Sequence, residues 1–321
     1  MNLQYTLQRL ALQLKNKPRT LKRVARVFQK IMKTLYDTYF PNAEARRRGR
    51  NPDCPDADIL TVGWLLEYIA EDSENSGYRR IKAKLKTVFP ALPERSLFNR
   101  RRRNLSTASE VIRQALTNYL PKTNVFIVDS FPIPVCDFKR AHASKSDFKW
   151  ADGTGTLATY GNCATKSLGT FFGFRGTLIT AANRIPVDFG ITSADRDDRD
   201  VLPLLAERGE YRILLGDKGY ISQQLQAELM QTQATVLLPT LRSNQKQQYP
   251  ERFRKLQVRM RRIETTIGQP TEQFHISRVR ALKHWGLLTR MSNKFGSCLL
   301  GAFVNQCLGH PLMKLKDLVL A

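Results

Sequence analysis

Two short apolar runs, each closed by an aspartate, limit what this chain can fold into more than any other feature. Val125-Phe126-Ile127-Val128 ends at Asp129, and Ile213-Leu214-Leu215-Gly216 ends at Asp217. Runs of this length, apolar at consecutive positions and rich in bulky or β-branched residues, read as strands buried on both faces. Between them, residues 171–180 and 187–191 read as two strands joined by a turn at Ala182-Asn183-Arg184. Residues 197–205 read as a helix with acid in its first turn, 222–230 as another helix, and 235–238 as a further strand. The order predicts a mixed α/β sheet with helical crossovers. The glycine-rich stretch 132–168 reads as loop.

The chain before residue 121 has a different period. Leu21, Val24, Val27, Phe28, Ile31, Leu35 and Tyr39 form one stripe at helical spacing, bracketed by Pro18 and Pro41. Further helices are expected over 57–71, with Asp56 or Asp58 as N-cap, from near Ser76, and over 94–105 and 109–120. From Gln245 the chain again reads as helical and basic, with Arg252, Arg254, Lys255, Arg259, Arg261 and Arg262 close together.

Charge sets the class of partner. Of 321 residues, 52 are Lys or Arg and 28 are Asp or Glu, a formal net charge of +24. Hydrophobic residues make up 42%, enough for a real core, so the charge belongs to a folded protein that meets a polyanion. A bilayer span needs about 20 consecutive apolar residues, and no stretch approaches that. Gln4, Gln8, Arg9 and Gln13 interrupt the start of the chain, which therefore does not read as a secretory signal. The five cysteines are widely spaced without a CxxC pair, which fits a cytoplasmic address and not a disulfide framework.

Asp129 and Asp217 are the leading candidates for chemistry. Side chains just beyond the carboxyl ends of strands in an α/β sheet reach a common crevice, and two carboxylates there suit a hard, oxygen-preferring cation such as Mg2+ or Mn2+. Each aspartate alone is as readily a turn-former or cap. A third carboxylate would come from the basic segment, where Glu264 competes with Glu251 and Glu272 and where an acid among arginines is also a natural ion-pair partner. In the cluster Asp195, Asp197, Asp198 and Asp200, Asp195 or Asp197 reads as the cap of the following helix and the others as ion-pair partners of Arg196 and Arg199, a metal site being the alternative. No GxSxG elbow or GxxxxGK[ST] phosphate loop is present.

Asp129-Ser130-Phe131-Pro132-Ile133-Pro134-Val135-Cys136, Gly216-Asp217-Lys218-Gly219-Tyr220 and Arg262-Ile263-Glu264-Thr265 resemble the three carboxylate motifs of bacterial insertion-sequence transposases of the DDE type, in particular the nine-eighty-two group of insertion sequences. Asp58-Ile59-Leu60-Thr61 and the segment from Leu92 to Arg103 resemble that group's helical amino-terminal region. The resemblance implies a ribonuclease-H-like fold with Asp129, Asp217 and Glu264 as catalytic metal ligands. It also implies two Mg2+ ions, for which Mn2+ would substitute. A helical DNA-binding region over 1–120 and a catalytic domain over 121–321 follow from it.

The implied substrate is DNA, both the inverted repeats of the element and its target, handled by a homodimer or higher assembly in the cytoplasm at the nucleoid. Arg100, Arg101, Arg102, Arg103, Lys218, Arg261 and Arg262 are the expected phosphate contacts, two of the four consecutive arginines touching DNA and the others solvated. Tyr220 either positions the scissile strand or packs under the sheet. A non-catalytic basic DNA-binding protein and an inactive relic are the alternatives.

Overall fold

The structure is a computed structural model and describes residues 2–43, 49, 51–69, 71, 73–137, 139, 141, 148, 157–163, 169–242, 244, 249–260, 274–279, 281 and 283–318. It divides into two compact units, one formed by Met1–Pro121 with Leu288–Ala321, the other by Lys122–Leu287. The segment from Leu288 onward therefore groups with the amino-terminal helices, whereas the sequence reading places it with the catalytic part.

The first unit contains α1 (Leu3–Ala11), α2 (Leu21–Tyr39), α3 (Asp56–Tyr68), α4 (Glu74–Lys84), α5 (Arg95–Asn104) and α6 (Ser106–Thr117). Thr20 caps α2 and Ser73 caps α4, each accepting a backbone N–H with its hydroxyl. α3 is buried nearly all round, as befits a central helix. Neither Asp56 nor Asp58 caps it. Asp56 instead accepts bonds from Arg101 at 2.7 Å and the Tyr36 hydroxyl at 2.9 Å, and Asp58 from Gln29 at 2.9 Å.

The later part of the long helix His284–Cys307 belongs to this unit and lies against α3. Gly296 leaves room for the Trp64 indole, which a Cβ would overlap. Trp64 Nε1 donates to Ser109 Oγ at 2.9 Å, and Ser109 Oγ donates to Asn293 Oδ1 at 3.0 Å. Around this apolar centre sits a buried ionic layer. Lys294 meets Glu67 at 2.6 Å, and Glu74 takes both Arg102, at 2.9 Å, and Arg290. Burial alone would raise the Glu67 carboxyl; the charges of Lys294, Arg290 and Arg102 outweigh it and hold the group below its ordinary value.

The second unit is built on a six-stranded sheet. β1 (Val125–Asp137), β3 (Thr170–Ala181) and β4 (Pro186–Ser193) form an antiparallel set, and β2 (Thr159–Asn162) pairs with the start of β3. β5 (Ile213–Gly216) lies parallel to β1, and β6 (Val236–Pro239) parallel to β5. α7 (Asp198–Ala206) and α8 (Gln223–Gln233) are the crossover helices, and α9 (Glu251–Met260) follows the last strand. One face buries Val128, Leu214 and Leu237 with Leu202, Leu205, Leu225 and Leu229. The other buries Ile127, Leu215 and Leu238 with Tyr249, Phe253 and Leu256. The two-sided burial expected from the apolar runs is what the sheet shows.

The expected loop over 132–168 is a difference. β1 continues through Pro132 and Pro134 to Asp137, and β2 follows it. Prolines fit here because β5 pairs only with Val125–Ile127, leaving that edge of β1 open where an N–H is not needed. The two prolines, spaced by two, place their missing donors on that same side. Gly173 lies opposite Pro134, where any side chain would strike the β1 backbone.

Glu67→Gln leaves Lys294 buried without its counter-charge. A loss of about 3–5 kcal/mol is expected at neutral pH from urea unfolding. The lowered carboxyl gives stability that is present above its unfolded value of 4.5 and is lost as pH falls through the folded value, so the wild-type advantage should shrink below pH 4.5. An advantage that persists in acid contradicts the pairing.

Candidate active site at the carboxyl end of β1 and β5

The parallel register of β1 and β5 places Val125 opposite Ile213, Phe126 opposite Leu214 and Ile127 opposite Leu215. Asp129 is two residues beyond Ile127, and Asp217 is two beyond Leu215. The same pairing therefore carries both residues to neighbouring positions at the strand ends. Asp217 continues the extended backbone past β5 and heads a single turn over Lys218–Tyr220, its Oδ1 accepting from Gly219 N at 2.8 Å. Asp129 Oδ1 accepts from Ser130 N at 2.8 Å. Asp129 is half-buried, and Asp217 and Lys218 are exposed.

A third carboxylate approaches from α7. Asp197, one of the two expected caps, caps that helix and itself takes Arg199, whereas the expected pairing of the other acids with Arg196 and Arg199 is not what the hydrogen bonds among the described residues show: Asp195 exchanges hydrogen bonds with Thr159. Asp198 does neither. Its Oδ2 accepts from Ser130 Oγ at 2.9 Å and from Arg175 at 3.2 Å. Burial is the main influence on its carboxyl and raises it; Ser130 and Arg175 oppose the rise and the charge of Asp217 adds to it. In sequence, Asp198 is one of four acids within six positions, and only its partners distinguish it.

Tyr220 is buried among the residues of α7 and α8, so packing under the sheet is the reading that holds. Its ring lies against Gly216, where a Cβ would sit 2.9 Å from the nearest ring carbon. Burial first, and then the charges of Asp198, Asp129 and Asp217, push its phenol well above the ordinary range.

Among the described residues, no group of three or more His, Cys, Asp or Glu side chains is placed to hold a metal ion. Those residues supply the Asp129 and Asp217 oxygens, a donor set that suits a hard cation. Glu264, Glu272, Arg261 and Arg262 lie outside the described residues. Glu251, the alternative third acid, is exposed at the start of α9 and pairs with Lys255 at 3.5 Å.

The arginine run of α5 divides in two. Arg100 and Arg103 face solvent. Arg101 is bound to Asp56, and Arg102, only 5% exposed, lies over the Phe98 ring and pairs with Glu74. Two of the four arginines expected as phosphate contacts, Arg101 and Arg102, are thus ion-paired within the helical unit.

The second unit thus has acidic side chains at the ends of β1 and β5, in a chain of net charge +24. The family model described as a transposase DDE domain matches residues 121–284, just over half of the chain, and the chain belongs to that family. DDE transposases act on DNA and generally use divalent metals. No curated protein and no solved structure matches the chain. Among the described residues, no helix is long and apolar enough to cross a membrane.

Gly216→Ala should displace Tyr220 and the turn that carries Asp217. The expected cost is about 1–3 kcal/mol in denaturant unfolding, and a wild-type midpoint would show that the ring yields freely.

Proposed function

We propose that the chain is an insertion-sequence transposase that cleaves the ends of its element and joins the freed 3′-hydroxyls to target DNA. The observation that supports this best is the register of β1 and β5, which brings Asp129 and Asp217 together inside the matched transposase DDE domain. The strand arrangement supports a ribonuclease-H-like core: an antiparallel set of β1, β3 and β4, to which β5 and β6 add in parallel beside β1. Membership of the nine-eighty-two group is the finer proposal and rests on the motifs around the three acids.

Asp129, Asp217 and Glu264 would hold two Mg2+ ions, or Mn2+ in their place. Such ions supply the charge that activates a water or a 3′-hydroxyl and stabilises the departing 3′ oxygen. The chain's own part is to hold the acids at adjacent strand ends and to hold the scissile phosphate for in-line attack. In that attack a new oxygen–phosphorus bond forms on one side as the bond to the 3′ oxygen breaks on the other. Lys218, exposed beside Asp217, and the basic segment with Arg261 and Arg262 would take the neighbouring phosphates.

The helical residues 1–120 would grip the inverted repeats, with Arg100 and Arg103 as phosphate contacts, and residues 121–321 would carry the catalysis. Arg101 and Arg102 are already engaged by Asp56 and Glu74. Two element ends must be held at once, which calls for a homodimer or larger assembly on DNA at the nucleoid.

The test is Mg2+-dependent cleavage and joining of a labelled element end. Asp129→Ala, Asp217→Ala and Glu264→Gln should each abolish cleavage and leave DNA binding intact. A wild-type chain that binds DNA and never cuts it with Mg2+ or Mn2+ would be a binding protein or a relic. If Glu264→Gln still cuts, the third acid lies elsewhere. Separately, Arg100→Ala with Arg103→Ala should flatten the salt dependence of DNA affinity, the logarithmic slope falling by about 0.9 for each phosphate no longer neutralised. An unchanged slope would remove these residues from the interface.

A further inference from the structure

Two polar groups stand behind the Asp129–Asp217 pair without a part in the chemistry above. Asp198 is held from one side only: Ser130 Oγ and Arg175 both bond its Oδ2, while its Oδ1 is buried and has no hydrogen-bond partner among the described residues. The Tyr220 hydroxyl is also buried without such a partner, on a residue 1% exposed. That hydroxyl lies within electrostatic reach of Asp198, Asp129 and Asp217, and Asp198 within reach of Asp217.

The surroundings fix both groups in direction. Ser130 is the neighbour of Asp129 on β1. Arg175 stands opposite Pro132 on β3 and also reaches the Asn162 carbonyl of β2 at 3.4 Å. The clamp therefore ties the first turn of α7 to three strands and leaves one carboxylate oxygen aimed away from its holders. Tyr220 cannot turn, because its ring is packed on Gly216 and among Leu202, Leu225 and Val128. A buried acceptor and a buried hydroxyl left unpaired are costly, and native proteins keep such groups where something other than the protein completes them. Asp198 is not placed with Asp129 and Asp217 as a direct three-ligand group. Mg2+ keeps several of its waters when it binds carboxylates, and groups that bond to a metal's ligands orient them and strengthen binding.

We propose that Asp198 and Tyr220 are positioning residues for a divalent cation at Asp129 and Asp217. Asp198 Oδ1 accepts, and the Tyr220 hydroxyl donates or accepts, hydrogen bonds to the waters that the cation retains. This rests on the reading of Asp129 and Asp217 as metal ligands. The Ser130–Asp198–Arg175 clamp has a second effect in the same direction, since it holds the backbone beside Asp129 still. The site then recognises a hydrated cation of Mg2+ type, bound in part through its own water shell.

The experiment uses the full chain as wild type, Asp198→Asn and Tyr220→Phe. Mn2+ affinity is read from the electron paramagnetic resonance signal of the free ion, and the thermal midpoint is recorded without cation. Tyr220→Phe keeps the ring on Gly216, so its midpoint should match wild type. Mn2+ affinity should fall about 10-fold or more in Asp198→Asn and by a smaller factor in Tyr220→Phe. The Mg2+ concentration for half-maximal cleavage of a DNA end should rise in parallel, with activity recovered at saturating Mg2+. A purely structural role for the clamp would move the thermal midpoint and leave the cation dependence alone.

Wild-type Mn2+ affinity in both variants overturns the proposal. If Asp198→Asn does not fold, Tyr220→Phe decides it alone, and unchanged affinity there overturns it equally. A wild-type chain that binds no Mn2+ brings down the metal reading of Asp129 and Asp217 and this proposal with it. Binding by wild type with unaltered variants brings down only this one.

Discussion

The parallel pairing of β1 with β5 is the constraint on which the rest of the second unit depends. Three matched pairs, ending at Ile127 and Leu215, decide that Asp129 and Asp217 are neighbours. A slip of one residue would send the two carboxylates to opposite faces of the sheet. Burial on both faces prevents such a slip. Val128 and Leu214 must meet the α7 and α8 layer while Ile127 and Leu215 meet Tyr249, Phe253 and Leu256. The apolar runs thus place the acids by fixing which way each strand faces.

The same strands show why acids and packing cannot be separated here. Gly216 admits the Tyr220 ring beneath the turn of Asp217, and Gly173 admits the β1 backbone at Pro134, beyond Asp129. Where β1 outruns β5, it pairs only with β3, and prolines become acceptable on its open edge. Ser130 uses this region to reach Asp198 across to α7. Short-range steric needs of glycine and proline therefore shape the neighbourhood of a site whose chemistry is electrostatic.

Much of this was legible in the residues. The apolar runs before Asp129 and Asp217, the hairpin of β3 and β4, and a cap at Asp195 or Asp197 follow from length, period and turn chemistry. β1 beyond Pro132 and the short β2 were not, because proline and glycine mark loops unless the pairing of the partner strand is known. Arg102 was hidden for a similar reason. Within four identical side chains, nothing local says which one faces Glu74 and the core. Asp198 was lost among Asp195, Asp197 and Asp200, since its partners Ser130 and Arg175 are distant in sequence. The aspartates that cap or pair locally can be read from spacing, whereas the one that joins the strand ends can be found only from the fold.

In the proposed reading, the β1–β5 register makes Asp129 and Asp217 a shared cation site. Its most direct test is a crystal structure of the full chain soaked in Mn2+, with the ion located by anomalous scattering. The expected result is an Mn2+ peak at Asp129 and Asp217, held by their carboxylate oxygens. An ion bound elsewhere, with the two carboxylates on opposite faces of the sheet, would contradict it.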